Sequence, residues 1–92
     1  MTPEQREQAR LTILRYLDAA ADTSPGRGIP SAVLMQHLRA EGFAGVDRTI
    51  VGALLMYLLD RGLVALVDKI SPELPAWRIT AAGRDYYAFW VA

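Results

Sequence analysis

The sequence predicts an α+β domain that is mainly α with a small antiparallel β-hairpin. Two segments carry this prediction. In the first, Leu58–Val64, Gly62 stops a helix and the chain turns directly into a strand. In the second, Trp77–Gly83, a short strand ends at Thr80, a residue type suited to capping a helix. The expected order is three helices, the hairpin and a closing helix, within a single domain spanning residues 1–92.

The first helix is expected from about Pro3 to Ala21. Thr2 can cap it, and proline fits the first helical position because its missing N–H has no helical partner there. Apolar residues recur on one face at spacings of three or four, namely Ala9, Ile13, Tyr16, Leu17 and Ala20. The stretch 22–28 is rich in proline, glycine and small polar residues, which predicts a loop.

Two further helices follow this loop. Helix two is expected to begin near Pro30 or Ser31 and to end at Gly42. A turn of small residues around Phe43 separates it from helix three, because glycine accepts the positive φ of a tight turn. Helix three is expected over Arg48–Arg61, with Asp47 as its N-cap.

The hairpin is expected between helix three and the closing helix. Leu63–Lys69 is rich in Val and Leu and reads as the first strand. Ile70–Pro75 contains two prolines and is the predicted turn, and Ala76–Thr80 is the returning strand. Ile29 is expected to add a short third strand before helix two. The closing helix is expected from Ala81 to about Trp90.

In this order the residues resemble the winged helix-turn-helix superfamily, broadly the type found in small bacterial regulators, over about Ile29–Tyr87. The resemblance is carried by Leu55-x-x-Leu58-x-x-x-Gly62-Leu63-Val64 and by Trp77-x-Ile79-Thr80-x-x-Gly83. The chain is also similar to small winged-helix proteins of Mu-like prophages. Those proteins pair a Leu-Arg-Ala-x-Gly turn, here Leu38 to Gly42, with a Gly-Leu-Val helix exit.

The resemblance implies that helix three enters the major groove of double-stranded DNA while the hairpin, or wing, touches the DNA backbone or minor groove. Carried onto this chain, the helix-three contacts are Arg48, Thr49, Gly52 and Ala53. The wing contributes Lys69 and Arg78, and Arg27 reaches phosphate from the first loop.

Helix three departs from the superfamily pattern because its exposed positions are small or apolar. Direct base readout needs hydrogen-bonding side chains, and only Arg48 and Thr49 supply them here. Three apolar residues are expected outside the core stripe of this helix and need another surface: Ile50, Leu54 and Leu59. Groove binding and burial against a partner subunit therefore both remain open for this helix.

The end of the chain concentrates aromatic residues. Four of the eight aromatic side chains lie in the last seven positions: Tyr86, Tyr87, Phe89 and Trp90. Aromatic residues dominate many protein interfaces, so a homodimer contact is expected here, shared with the three apolar residues of helix three. The alternative is that Tyr86 and Trp90 pack inward while the other two aromatics cover helix one. These aromatic and apolar residues also indicate a second candidate function, a phage-derived protein-interaction module without sequence-specific DNA binding.

Composition sets further limits. Ten Lys and Arg balance ten Asp and Glu, so any basic patch must arise from uneven placement of residues such as Arg27, Arg48, Lys69 and Arg78. The absence of cysteine excludes disulfides and thiolate metal sites. His37 is the only histidine, and no nucleophile or metal-ligand arrangement is present. We therefore expect no enzyme activity, cofactor, metal or small-molecule ligand. We expect a cytoplasmic location, because the first residues are polar and no apolar run reaches about 20 residues.

Overall fold

The computed structural model describes residues 1–24, 26–67 and 75–91. Within them the order is helix, short strand, two helices, two strands and a closing helix, which confirms the predicted α+β class and the extra strand at Ile29. The elements are α1 (Pro3–Thr23), β1 (Ile29–Pro30), α2 (Ser31–Ala40), α3 (Arg48–Asp60), β2 (Val64–Val67), β3 (Ala76–Ile79) and α4 (Ala81–Val91).

The predicted caps of α1 and α3 are present. The Thr2 hydroxyl accepts a hydrogen bond from the Gln5 amide at 3.1 Å, and the Gln5 side chain accepts one from the Thr2 amide at 3.0 Å. The Asp47 carboxylate accepts from the Ile50 amide at 2.9 Å. These bonds satisfy amides that have no partner inside the helix, which fixes where each helix begins.

Helix boundaries differ from the predictions by one or two residues. α1 continues to Thr23 because the Ser24 amide still donates to the Ala20 carbonyl at 2.8 Å. α2 ends at Ala40, before Gly42, which takes a positive φ of 95° in the following turn. α3 ends at Asp60, and the Gly62 amide closes the turn on the Leu59 carbonyl at 2.9 Å.

The three strands form one antiparallel sheet in the order β1-β3-β2. Trp77 pairs with Ile29 on one side and Leu66 on the other. β2 ends at Val67, so the predicted strand end at Lys69 and most of the predicted turn Ile70–Pro75 lie outside the described residues.

The junction between β3 and α4 is closed by Thr80, which the sequence analysis had placed in the strand. Its hydroxyl accepts from the Gly83 amide at 3.0 Å and donates to the Gly62 carbonyl at 2.7 Å. Its own amide donates to the Leu63 carbonyl at 3.1 Å. Thr80 therefore caps α4 as predicted and also ties α4 to the end of α3.

The core lies between α1, α2, α3 and the inner face of the sheet. The expectation that Leu54 lies outside the core is wrong, because Leu54 is only 3% exposed and belongs to the same buried cluster as Val51, Leu55 and Leu58. The reason is that α1 packs against this side of α3 as well. The same packing leaves Ile50 and Leu59 half-buried against the core. A partner surface was expected to cover these two residues and Leu54, but the protein's own core covers Leu54 fully and the other two in part.

Ion pairs attach α1 to its neighbours. Arg84 of α4 donates to Asp18 at 2.9 Å and to Asp22 at 2.6 Å. The hydrogen bond to Asp22, with the charges of Asp22 and Asp18, raises the pKa of Arg84 above its ordinary value. Three residues before Asp18 on the same helix, Arg15 pairs with Glu41 just after α2. These contacts attach one face of α1 to α4 and to the residue after α2, and we call this side the back of the domain.

Candidate nucleic-acid interface

Helix α3 turns one face away from the core. Its exposed residues at spacings of three or four define the outward stripe: Thr49, Ala53, Met56 and Asp60. The side chain of Met56 is 52% exposed. Because the opposite side of the helix carries the buried leucines, α3 presents a continuous rod to solvent, as a reading helix requires.

On one side of the outward stripe lies the α2-side cleft, of about 240 Å³, lined by Ser31, Ala32, Met35, Arg48, Val51, Gly52 and Pro75. Ser31 joins the first turn of α2 to the hairpin, since its amide donates to the Pro75 carbonyl at 3.3 Å. The Trp77 indole N–H donates to the Ser31 hydroxyl at 2.8 Å. These bonds hold the base of the wing beside the first turn of α2, and the cleft places Arg48 next to both.

On the other side lies the α1-side cleft, of about 330 Å³, lined by Met1, Arg6, Arg10, Ile50, Ala53, Leu54 and Tyr57. The guanidinium carbon of Arg10 lies 4.1 Å from the centre of the Tyr57 ring, a cation–π contact. The Tyr57 hydroxyl accepts a hydrogen bond from Arg61 at 3.0 Å. Arg6 and Arg10 are not among the site residues predicted from the sequence, although their spacing of four on a helix places them on one face.

The predicted DNA contacts are distributed over several places. Arg48 and Thr49 are exposed in the first turn of α3, Ala53 is exposed one turn later and Gly52 is half-buried beside it. Arg27 is exposed in the loop before β1 and Arg78 is exposed on β3, while Lys69 lies outside the described residues.

These basic residues do not share one cleft. Arg78 lines a cleft with Arg84 and the C-terminal half of α1, whereas Arg48 lines the α2-side cleft. The structure therefore places Arg48 and Arg78 in separate clefts. Arg48 lines the cleft on one side of the outward stripe, and Arg6 and Arg10 line the cleft on the other side.

Charge is unevenly placed in this neutral chain. Among residues 1–24, 26–67 and 75–91, the ion pairs join Arg15 to Glu41 and Arg84 to two aspartates. Within those same ranges no acid lies within ion-pair distance of Arg6, Arg10 or Arg48. The arginines beside α3 are thus available to a negatively charged partner.

The aromatic end of α4 is divided. Tyr86 and Tyr87 are half-buried and pack against the core, whereas Phe89 is 78% and Trp90 49% exposed. The Trp90 ring makes an edge contact with Phe89 at 6.0 Å between ring centres. Inward packing is therefore correct for Tyr86 but not for Trp90, which lies beside Glu4, Glu7 and Leu11 in the first half of α1.

In the part of the chain that the structure describes, no three His, Cys, Asp or Glu side chains come close enough to hold a metal ion. His37 stacks on the Tyr16 ring at 4.1 Å between ring centres. Across the same described ranges, no helix is both long and apolar enough to span a bilayer.

No protein-family model matches the chain, and no curated protein matches it. Among solved structures it is similar to the crystal structure of a candidate transcriptional regulator from Thermoplasma acidophilum. The TM-score is 0.72 at 20% sequence identity, and the match covers 91% of this chain and 77% of that one. At this identity the likeness bears on the fold alone, and together with the element order above it shows a winged-helix fold.

Proposed function

We propose that this protein is a winged-helix DNA-binding module of the transcription-regulator type, which contacts double-stranded DNA through the outward stripe of α3. One observation carries the proposal: the stripe is uncovered and lies between two clefts that each contain arginine without a described acidic partner. The similarity in fold to a candidate transcriptional regulator supports the same reading. A regulator of this type acts in the cytoplasm and needs no cofactor or catalytic group.

Each predicted contact has a role in this proposal. Arg48 and Thr49 lie in the first turn of α3, the part of a reading helix that reaches base edges and phosphates. Ala53 and Gly52 are small and let the helix backbone approach the groove. Three further basic residues are assigned to phosphates: Arg27, Lys69 and Arg78.

The chemistry of the stripe limits how selective this binding is. Sequence is read mainly by hydrogen bonds to base edges, and the first turn of α3 offers two such side chains, Arg48 and Thr49. Most of the affinity then comes from phosphate contacts, which are independent of sequence and weaken with salt. We expect discrimination between unrelated duplexes near or below the low end of the usual range of about 10³ to 10⁷.

The test measures binding to a mixed-sequence duplex at several salt concentrations. Replacing Arg48 by alanine should weaken binding and lower the slope of log K against log salt by about 1. Arg15→Ala is the matched control, since it removes the same charge at the pair with Glu41, away from α3. An affinity for the duplex that changes neither with salt concentration nor with Arg48→Ala would contradict the proposal.

We also propose a homodimer formed by the end of α4. The exposed side chains of Phe89 and Trp90 form its centre, bordered by Tyr86 and Tyr87. Leu54 is excluded from this surface by its burial. Sedimentation should show a dimer that Phe89→Asp converts to monomer. A wild-type protein that stays monomeric at high concentration would rule the dimer out.

The second candidate function is a protein-interaction module of phage-derived type. The exposed aromatic end of α4 and the zero net charge favour it. The burial of Leu54 weighs against it, because α3 then has fewer apolar side chains to offer a partner. A protein that self-associates but binds no duplex at low salt would support this second candidate.

A further inference from the structure

We infer that α1 supplies a second phosphate-binding flank, in which Arg6 and Arg10 hold the DNA strand on the side of α3 opposite Arg48. This inference rests on the proposed function and assigns a role to two residues outside the reading helix and the wing. It also predicts the orientation of α3 in the major groove, with a phosphate backbone of the DNA on each side of the helix.

The two arginines are placed together by α1. They are four residues apart, one helical turn, so their side chains leave the same face of the helix. Both line the α1-side cleft with Ala53, which also belongs to the outward stripe of α3. The cleft therefore opens onto the surface that the proposed function presents to DNA.

Tyr57 gives Arg10 a defined position. The ring lies 4.1 Å below the guanidinium carbon and is itself 42% exposed. Stacking uses the face of the guanidinium group and leaves its N–H groups, which lie in the plane, available for phosphate oxygens. A side chain ordered in this way loses less entropy on binding than a mobile one.

The dimensions of DNA agree with two flanks. The major groove is about 12 Å wide, and a helix with its side chains measures about 10–12 Å across, so an inserted helix faces a phosphate strand on each side. On α3, Arg48 lines one cleft and the α1 arginines line the other. This arrangement matches the two borders of the groove.

The acidic groups nearby do not cancel this flank. Glu4 and Glu7 line a different cleft, on the side of α1 that meets Trp90. The Asp47 carboxylate is engaged as the cap of α3. Asp60 lies on the outward stripe, but at the opposite end of α3 from the first turn. Within the described ranges, Arg6 is exposed, Arg10 is half-buried, and neither has an acid within ion-pair distance.

The test compares the wild type with a double variant, Arg6→Gln with Arg10→Gln, on one mixed-sequence duplex across a salt series. Two lost phosphate contacts should lower the salt slope by about 1.8 and weaken binding at low salt by roughly ten-fold or more. The control is Arg15→Gln with Arg84→Gln, which removes equal charge from the back of the domain. Far-UV circular dichroism checks that both double variants fold.

A second pair of variants separates charge from position. Arg10→Lys keeps the charge, so the salt slope should stay near the wild-type value. Tyr57→Leu keeps every arginine but removes the ring under Arg10, and it should weaken binding several-fold.

The outcomes distinguish the inference from the proposed function. If the wild type binds, and Arg48→Ala weakens binding while the Arg6 and Arg10 double variant leaves affinity and slope unchanged, the second flank is overturned and the function stands. If the wild type binds no duplex at low salt, both fail. A reduced slope in the double variant alone, with the control unchanged, supports the inference.

Discussion

Replacing Gly83 by alanine should destabilise the protein, because α4 passes directly over the backbone at Leu63. A Cβ at this position would overlap the Leu63 carbonyl oxygen and lie 2.7 Å from Cγ1 of Ile79. The same carbonyl accepts the Thr80 amide at 3.1 Å, so it cannot retreat without loosening that bond. Overpacking costs about 1–3 kcal/mol and a weakened hydrogen bond about 1 kcal/mol, whereas the alanine gains up to about 1 kcal/mol in helix propensity.

The expected net loss is about 1–3 kcal/mol, which lowers the melting temperature of a domain this size by roughly 5–20 °C. Urea unfolding followed by circular dichroism measures it. Gly52→Ala is the matched control, since it is also a helical glycine but no described atom lies within 4 Å of its added Cβ. It should be neutral or more stable than the wild type. If Gly83→Ala matched the stability of Gly52→Ala, the close approach of α4 to Leu63 would be refuted.

Two further predictions concern α3. Leu54→Ala should cost about 2–5 kcal/mol of stability, equally at low and high protein concentration, because the side chain is buried within one chain. A loss that disappeared on dilution, where a dimer dissociates, would place Leu54 at an interface instead. Asp60→Asn should tighten duplex binding less than ten-fold at low salt, since removing one exposed charge changes the energy by about 1 kcal/mol or less, and the gain should vanish at high salt. Unchanged affinity at every salt concentration would show that this end of α3 faces away from the duplex.

The helix boundaries were predictable wherever one side chain decides them. Thr2, Asp47 and Thr80 each accept a bond from an amide three residues on, and Gly62 supplies a left-handed turn. These interactions involve near neighbours in the chain, so a single sequence reveals them. The short strand at Ile29 was also predicted, as an addition to the hairpin, and it pairs with Trp77.

The burial of Leu54 was not predictable in the same way. The width of a buried stripe depends on how many elements pack against the helix, and periodicity gives only its direction. Here α1 and α2 both cover α3, so the buried stripe is wider than the one expected from Val51, Leu55 and Leu58. The α1-side cleft escaped prediction for the same reason, because it is formed only when two distant segments meet.

Zero net charge is a weak argument against a nucleic-acid partner for this fold. Net charge averages over the surface, whereas a duplex meets only one face of a small domain. Among residues 1–24, 26–67 and 75–91, Arg84 and Arg15 are held in ion pairs with three acids at the back of the domain. The first half of α1 separates its charges, since Glu4 and Glu7 lie toward Trp90 whereas Arg6 and Arg10 lie toward α3. Among the described residues, packing therefore places the arginines beside α3 apart from the ion pairs of Arg15 and Arg84, although the composition of the whole chain is balanced.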